Sequence, residues 1–378
     1  MNARVFDRVW SEVRGDYYDP TIHGLDWAAV RTEYRPEALA ASDDAGLYGV
    51  VDRMLALLDD AHANAFTPVV ARRQDLLRRR HAILGLTLFP EVGGGFRIER
   101  VRPGSPAADA GVQRGWRLGP SAEGWTPDHL VVAGEAVPLT FIDTDGDAHP
   151  VTIVARTMEP LPAFSADRSH AGVVVLRAEG FEAGLGRWLG DQLRDLAPET
   201  AVVLDLRSNP GGLLREADAT LACFLPQDHP WARRTSRSGS VEVLSIVSRC
   251  GSLRAPVTNR LAVLVDASSR SAAELTPAAL QEAGRAVVVG HRTAGAVLIS
   301  RETDLPGGGR LSLSRADFVT IDGVRLEKHG VIPDIAVDDA APPDLPSQPD
   351  PALDAALDAL AQSAQSPAAG SIRSQAFP

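Results

Sequence analysis

The segment 261–296, LAVLVDASSRSAAELTPAALQEAGRAVVVGHRTAGA, reads as a buried strand, a tight turn, an amphipathic helix and a second buried strand. It sets Ser271 at the start of the helix, where backbone N–H groups lack intrahelical partners and can hold a developing oxyanion. A serine so placed is a candidate nucleophile for acyl transfer. An ordinary alternative stays open, because Ser271-Ala-Ala-Glu274 also fits a capping box in which the two side chains satisfy each other's amides. Ser268 and Ser269 are rival serines in the same turn.

Asn209-Pro210-Gly211-Gly212 follows a second apolar run, VVLDLR. Paired glycines after a strand let backbone approach a ligand closely and offer N–H groups to an anion, although a plain turn has the same composition. Two parallel strands would bring this turn beside Ser271. His62 closes an apolar helix and has an ordinary surface reading, as does Glu327 in Arg325-Leu326-Glu327-Lys328-His329-Gly330. Lys328 is the only lysine, so any mechanism needing a lysine base must use it. The 9 histidines show no metal-ligand spacing, and no metal or cofactor is expected.

The elements that position these residues follow from periodicity. Residues 1–60 read as helices, with Val5, Val9, Trp10 and Val13 on one apolar face and Val50, Val51, Met54, Leu55, Leu57 and Leu58 on another. From about 84 to 157 the pattern becomes short strands and glycine turns, with a hairpin about Asp145-Gly146. From about 165 buried strands alternate with amphipathic helices, which implies a largely parallel sheet. Residues 341–378, rich in Pro, Ala, Ser and Gln, read as one weak helix and a disordered end.

Bulk composition narrows the function classes. At 378 residues, with 44% hydrophobic and 23% charged residues, the chain can build several cores. A net charge of −11 excludes phosphate-backbone binding as an expectation, Arg78-Arg79-Arg80 being read as a solvated helix face. No apolar run of membrane-spanning or signal-peptide length occurs, so no membrane partner and a cytoplasmic location are expected. Cys223 and Cys250 are too few for a disulfide framework or zinc site; a reducing compartment fits, with one bridge left open.

Taken in order, these pieces resemble the C-terminal processing (tail-specific) serine protease family and its tricorn-core and interphotoreceptor-retinoid-binding-like branches. The resemblance covers about residues 1–340. It rests on Leu84-Gly85-Leu86-Thr87-Leu88, on residues 104–111 (GSPAADAG), on residues 204–212 (LDLRSNPGG), on residues 269–274 (SRSAAE) and on Gly330-Val331-Ile332-Pro333-Asp334. It implies an α/β fold: a crotonase-like (ClpP/crotonase) parallel-sheet core with an N-terminal helical domain and a PDZ-like β-rich domain. The implied division is 1–68 helical, 80–157 PDZ-like, 158–340 catalytic core and 341–378 low-complexity tail.

The resemblance also implies roles. Ser271 takes the nucleophile position, and Gly211 or Gly212 with the amide of Ala272 takes the oxyanion hole. Gly85, Leu86, Thr87 and Leu88 take the place of a loop that captures a peptide carboxylate. In the tail-specific branch a lysine follows the Thr-x-Gly turn; here that turn is Thr293-Ala294-Gly295 and the lysine position holds Ala296. The tricorn-like branch uses instead a histidine after the helical part and a glutamate before the closing motif, positions matched by His62 and Glu327. That branch places a serine before its histidine, where this chain has Ala61. The expected function is a serine peptidase acting on unstructured peptides or protein C-terminal tails, of undetermined oligomeric state. The alternatives are an inactive relative that binds peptide tails or an apolar ligand, and an esterase or acyl transferase at the same serine.

Overall fold

The computed structural model describes residues 1–60, 62–77, 82–90, 95–119, 131–159, 162–338, 340, 342–343 and 348–365. Arg78-Arg79-Arg80 and Ala61 lie outside them. The chain is a mixed α/β protein that divides into two units. The first holds Met1–Leu161, Ser300–Arg315 and Pro343–Pro349; the second holds Pro162–Ile299, Ala316–Pro342 and Asp350–Pro378.

In the first unit, helices Asn2–Asp16, Trp27–Ala40 and Asp44–Ala56 pack around Val5, Phe6, Val9, Val13, Leu47, Val51 and Met54. The apolar faces read from the sequence are the buried ones, with Trp10 at the margin, except that Leu57, placed on the second face, lies beyond the helix end and is exposed. Asp26 and Asp43 cap the second and third helices by accepting their first-turn N–H groups. Strand Asn64–Phe66 then pairs antiparallel with Arg310–Ser312 of the same unit.

A five-stranded antiparallel sheet follows in chain order: Leu86–Pro90, Phe96–Val101, Arg117–Leu118, Ala136–Ile142 and Ala148–Val154. It has its own core of Ile98, Val101, Val137, Leu139, Phe141 and Ile153. The last two strands form the hairpin about Asp145-Gly146; Gly146 has φ +94°, and Asp143 accepts the Asp145 and Asp147 N–H groups at 2.9 Å.

The second unit is built on a six-stranded sheet in the order Ile335–Ala336, Val287–Gly290, Leu261–Val265, Ala201–Asp205, Val173–Ala178 and Phe164–Asp167. Every pairing is parallel except the last. Helix Leu185–Leu193 buries one apolar stripe, as its spacing of three and four requires, whereas Leu214–Leu221 and Ala272–Glu282 are buried on nearly every side, Glu216, Asp218, Glu274 and Thr276 included. Strands Ala201–Asp205 and Leu261–Val265 are covered on both faces, and all ten of their residues are buried.

Two features differ from the sequence reading. The weak helix expected near the C-terminus, Pro351–Gln365, is anchored rather than loose. Ala352, Ala356 and Leu360 seat a one-residue-in-four stripe on Val203, Leu264 and Val289. Asp350 just before it receives two hydrogen bonds from buried Arg207, at 2.6 and 2.9 Å. Small alanines make this stripe inconspicuous in the sequence, yet they let the helix lie close to the sheet.

Cys223 and Cys250, for which a bridge was only one option, are joined as a buried disulfide closing a separation of 27 residues. Closing a loop of that size contributes about 3–4 kcal/mol through the unfolded state. The double change Cys223→Ser and Cys250→Ser is therefore expected to lower the thermal midpoint by several degrees. Melting the oxidised protein beside its reduced form and the double variant checks this, and three equal midpoints would contradict it.

Candidate active site

The two glycine- and serine-bearing turns lie at the same ends of neighbouring parallel strands, since Asp205 pairs with Leu264. Their contact is close. A Cβ added to Gly211 would stand 2.7 Å from the Cβ of Ser271 and 2.7 Å from the carbonyl oxygen of Arg270, so only glycine fits there. The Arg270 N–H also donates to the Asn209 carbonyl oxygen at 3.0 Å, stitching one turn to the other.

Ser271 is half-buried and adopts φ 55°, ψ −119°. For a residue with a Cβ this is a strained conformation, held only where surrounding contacts over-determine it. The capping box forms, but in skewed form. Glu274 accepts the Ser271 N–H at 3.1 Å, whereas the Glu274 N–H goes to the Ser271 carbonyl oxygen at 2.8 Å.

The rival serines are placed differently. Ser269 is fully buried, accepts the Asp266 N–H at 3.0 Å and donates to the Leu206 carbonyl at 2.9 Å. Ser268 is buried as well. Asp266 organises this turn by accepting from the N–H groups of Ser208, Ser268 and Ser269 at 2.9–3.0 Å.

Among the backbone donors near Ser271, the three amides differ in what they can offer. The Gly211 N–H already donates to Asn209 Oδ1 at 2.8 Å, and Asn209 Nδ2 donates to the Ala178 carbonyl at 2.8 Å. The Gly211 amide is therefore occupied. The N–H groups of Gly212 and Ala272 show no protein acceptor among the described residues. Of the three, the Gly212 and Ala272 amides are the ones left for an external acceptor, and Gly211 allows the close approach of the two turns.

Glu274 does more than cap a helix. It is fully buried and accepts four donors: Ser271 N–H at 3.1 Å, Thr293 Oγ1 at 2.5 Å, Gly295 N–H at 2.7 Å and Ala296 N–H at 2.9 Å. Burial pushes its carboxyl up from the usual range, against the pull of those donors. Through it the Thr293-Ala294-Gly295-Ala296 turn is bound to the serine turn, and the Ser271 N–H also donates to the Ala296 carbonyl at 2.9 Å.

Glu327 is buried too, not solvated, and accepts the Val297 N–H at 2.9 Å. It thus grips the residue next to Ala296, on the segment that Ser271 itself binds. Lys328 is exposed, and its backbone N–H donates to the Gly295 carbonyl at 2.7 Å.

Ser271, Gly211, Gly212, Ala272, Glu274 and Glu327 all belong to the second unit; His62 and Gly85–Leu88 belong to the first. His62 follows helix Asp44–Ala56, with its N–H donated to Asp60 at 2.8 Å. Gly85 has φ +91°, and a Cβ there would fall 2.1 Å from the Cβ of Ser105, so the loop closes only with glycine. Leu86, Thr87 and Leu88 begin the edge strand of the five-stranded sheet.

Sequence reasoning missed Asn209, Asp266 and the wider role of Glu274. Each is a short-range motif whose partners lie up to tens of residues away, and only the carboxamide or carboxylate beside a glycine or serine turn signalled them.

The chain is similar to known proteins over most of its length. Residues 172–337 match the description "Peptidase family S41", and residues 2–56 match "Tricorn protease C1 domain". The carboxyl-terminal-processing protease of Picosynechococcus sp. is 28% identical over 87% of this chain and 82% of its own length. CtpA of Bacillus subtilis, a carboxy-terminal processing protease, is 23% identical over 87% of this chain and 67% of its own. Among solved structures, a photosystem II D1 C-terminal processing protease superposes with a TM-score of 0.68 at 22% identity, covering 91% of this chain and 95% of that one. The tricorn protease superposes with a TM-score of 0.56 at 16% identity, over 96% of this chain and 36% of that one. Residues 172–337, which hold the serine at its strained strand-to-helix turn, are a peptidase family S41 domain, and the chain is a serine-type hydrolase.

Proposed function

We propose that the protein cleaves peptide bonds in unstructured protein C-terminal tails, with Ser271 as nucleophile, His62 as general base and Glu327 in support. The observation that carries this reading is Ser271 itself: a strained serine heading a helix, beside two unengaged backbone donors at Gly212 and Ala272. In the proposed step His62 Nε2 takes the hydroxyl proton as Ser271 Oγ bonds to the scissile carbonyl carbon. The carbonyl oxygen gains the displaced electron pair and is held by the Gly212 and Ala272 N–H groups. The C–N bond then breaks, the imidazolium returns its proton to the leaving amine, and water releases the acyl group by the same base.

His62 is chosen because Ala296 occupies the position where the tail-specific branch carries lysine, and alanine cannot accept a proton. The parallel strands Val173–Ala178, Ala201–Asp205 and Leu261–Val265, with helices between them in the chain, support a crotonase-like core on this reading. The five-stranded sheet supports a PDZ-like domain, whose Leu86–Pro90 strand has no neighbour on its outer side among the described residues. An extended tail adds to such an edge, with its carboxylate at the amides of Gly85 to Leu88.

The test is hydrolysis of a peptide with a free, unstructured C-terminus. Wild type cleaves it, Ser271→Ala and His62→Ala do not, and amidating the C-terminus raises KM. Binding without any cleavage by wild type would replace this reading with that of a tail-binding protein.

A further inference from the structure

The first unit carries a buried carboxylate directly behind the proposed base. Asp60 is two residues before His62, and its side chain is 1% exposed against 20% for the imidazole. One oxygen, Oδ1, accepts the His62 backbone N–H at 2.8 Å and stands 3.7 Å from the ring's Nδ1. Among the described residues, His62 Nδ1, Asp60 Oδ2 and Ser314 Oγ are buried without a completed hydrogen bond. A buried ring nitrogen without a completed hydrogen bond is costly, and 3.7 Å away stands a buried carboxylate oxygen with acceptor capacity to spare.

Burial pushes the Asp60 carboxyl up, but the His62 ring, the Ser314 hydroxyl and the His62 N–H outweigh it and hold the group below the usual range. The other titratable groups facing the pair are Tyr17, whose hydroxyl is pushed up by burial and by the Asp60 charge, and Tyr18 beside it. Arg315 on the neighbouring strand is already paired with Glu12 and Asp16. Among the described residues, the carboxylate within ion-pair range of the imidazole is Asp60.

We infer that Asp60 is the positioning residue of His62: its carboxylate receives Nδ1–H, fixing the tautomer that leaves Nε2 bare to take the serine proton. This rests on His62 being the base. It assigns to Asp60 the orienting task that a serine at position 61 would otherwise relay, and it leaves Glu327 to the Ala296–Val297 side. Closing 3.7 Å to the ~2.8 Å of a charge-assisted bond needs only a small swing of the ring. Asp60 takes no proton in the reaction; it stabilises the imidazolium formed when Nε2 is protonated.

Asp60→Asn tests the inference, since asparagine still accepts the His62 N–H but carries no charge. The expected result is a fall in kcat of about 10²–10⁴-fold with little change in KM, and an acidic limb of the kcat profile moved to lower pH. Asp60→Glu recovers part of the rate. A kcat within about twofold of wild type and an unmoved limb, with His62→Ala inactive, would overturn the role of Asp60 while leaving the base in place. Activity surviving in His62→Ala would instead overturn the base itself. A second readout needs no variant: ¹⁵N spectra of the wild-type imidazole are expected to show the Nδ1-protonated tautomer for His62, and a dominant Nε2-protonated ring contradicts the inference.

Discussion

Replacing Ser271 with glycine abolishes hydrolysis and, in the same molecule, raises the thermal midpoint. The two effects have one origin. With φ 55° and ψ −119°, Ser271 carries a conformational cost of about 1–3 kcal/mol that glycine does not bear. Glycine loses about 0.5–1 kcal/mol through its freer unfolded chain, so a net gain on the order of 1 kcal/mol remains. In a protein of this size that is a rise of about 2 °C. Loss of the hydroxyl removes the nucleophile, and the rate falls at least about 10⁴-fold. Melting curves and peptide hydrolysis on one preparation check both halves. A destabilised Ser271→Gly variant would mean that the turn is not strained, and an active one that the nucleophile lies elsewhere.

The second large effect is expected at Glu274. Its carboxylate accepts from Ser271, Thr293, Gly295 and Ala296. Truncation to alanine strands these donors in a region without water access, at a combined cost of about 3–5 kcal/mol. Glu274→Gln retains the shape but turns an NH₂ group toward N–H donors, so it falls between. Activity declines with stability in both, because the serine turn and the 293–296 turn are held together through this side chain. Urea unfolding gives the stability change. A loss under about 1 kcal/mol for Glu274→Ala would show that the four bonds are not the ones holding the turn.

These residues mark how far the sequence could be read. The strand, turn and helix around Ser271 were legible because apolar runs, a serine and a following Glu274 are local signals. The neighbourhood of Gly211 and Ser271 was legible one step later, since parallel strands align their ends. The four donors on Glu274 were not, because three of them come from residues 293–296, which only the folded return of the next strand delivers. The same is true of Asn209, whose carboxamide occupies the Gly211 amide and reaches back to the Ala178 carbonyl.

Asp60 carries no local signal beyond standing two residues before His62. Its importance comes from burial beside His62 and Ser314, the latter more than 250 positions away in the sequence. Glu327 read equally well as a solvated carboxylate, and its burial against Val297 depends on the same long-range closure. Pairing of Cys223 with Cys250 and anchoring of helix Pro351–Gln365 belong to this class too. Where chemistry depended on neighbours in the chain the sequence was informative; where it depended on which loops meet, the fold was needed.

The most direct measurement is covalent labelling of the wild-type protein with a fluorophosphonate, followed by mapping of the adduct by peptide mass spectrometry. One adduct on Ser271 is expected, lost in Ser271→Ala and strongly slowed in His62→Ala. An adduct on Ser268 or Ser269, or no adduct on a folded protein that still hydrolyses peptides, would contradict Ser271 as the nucleophile.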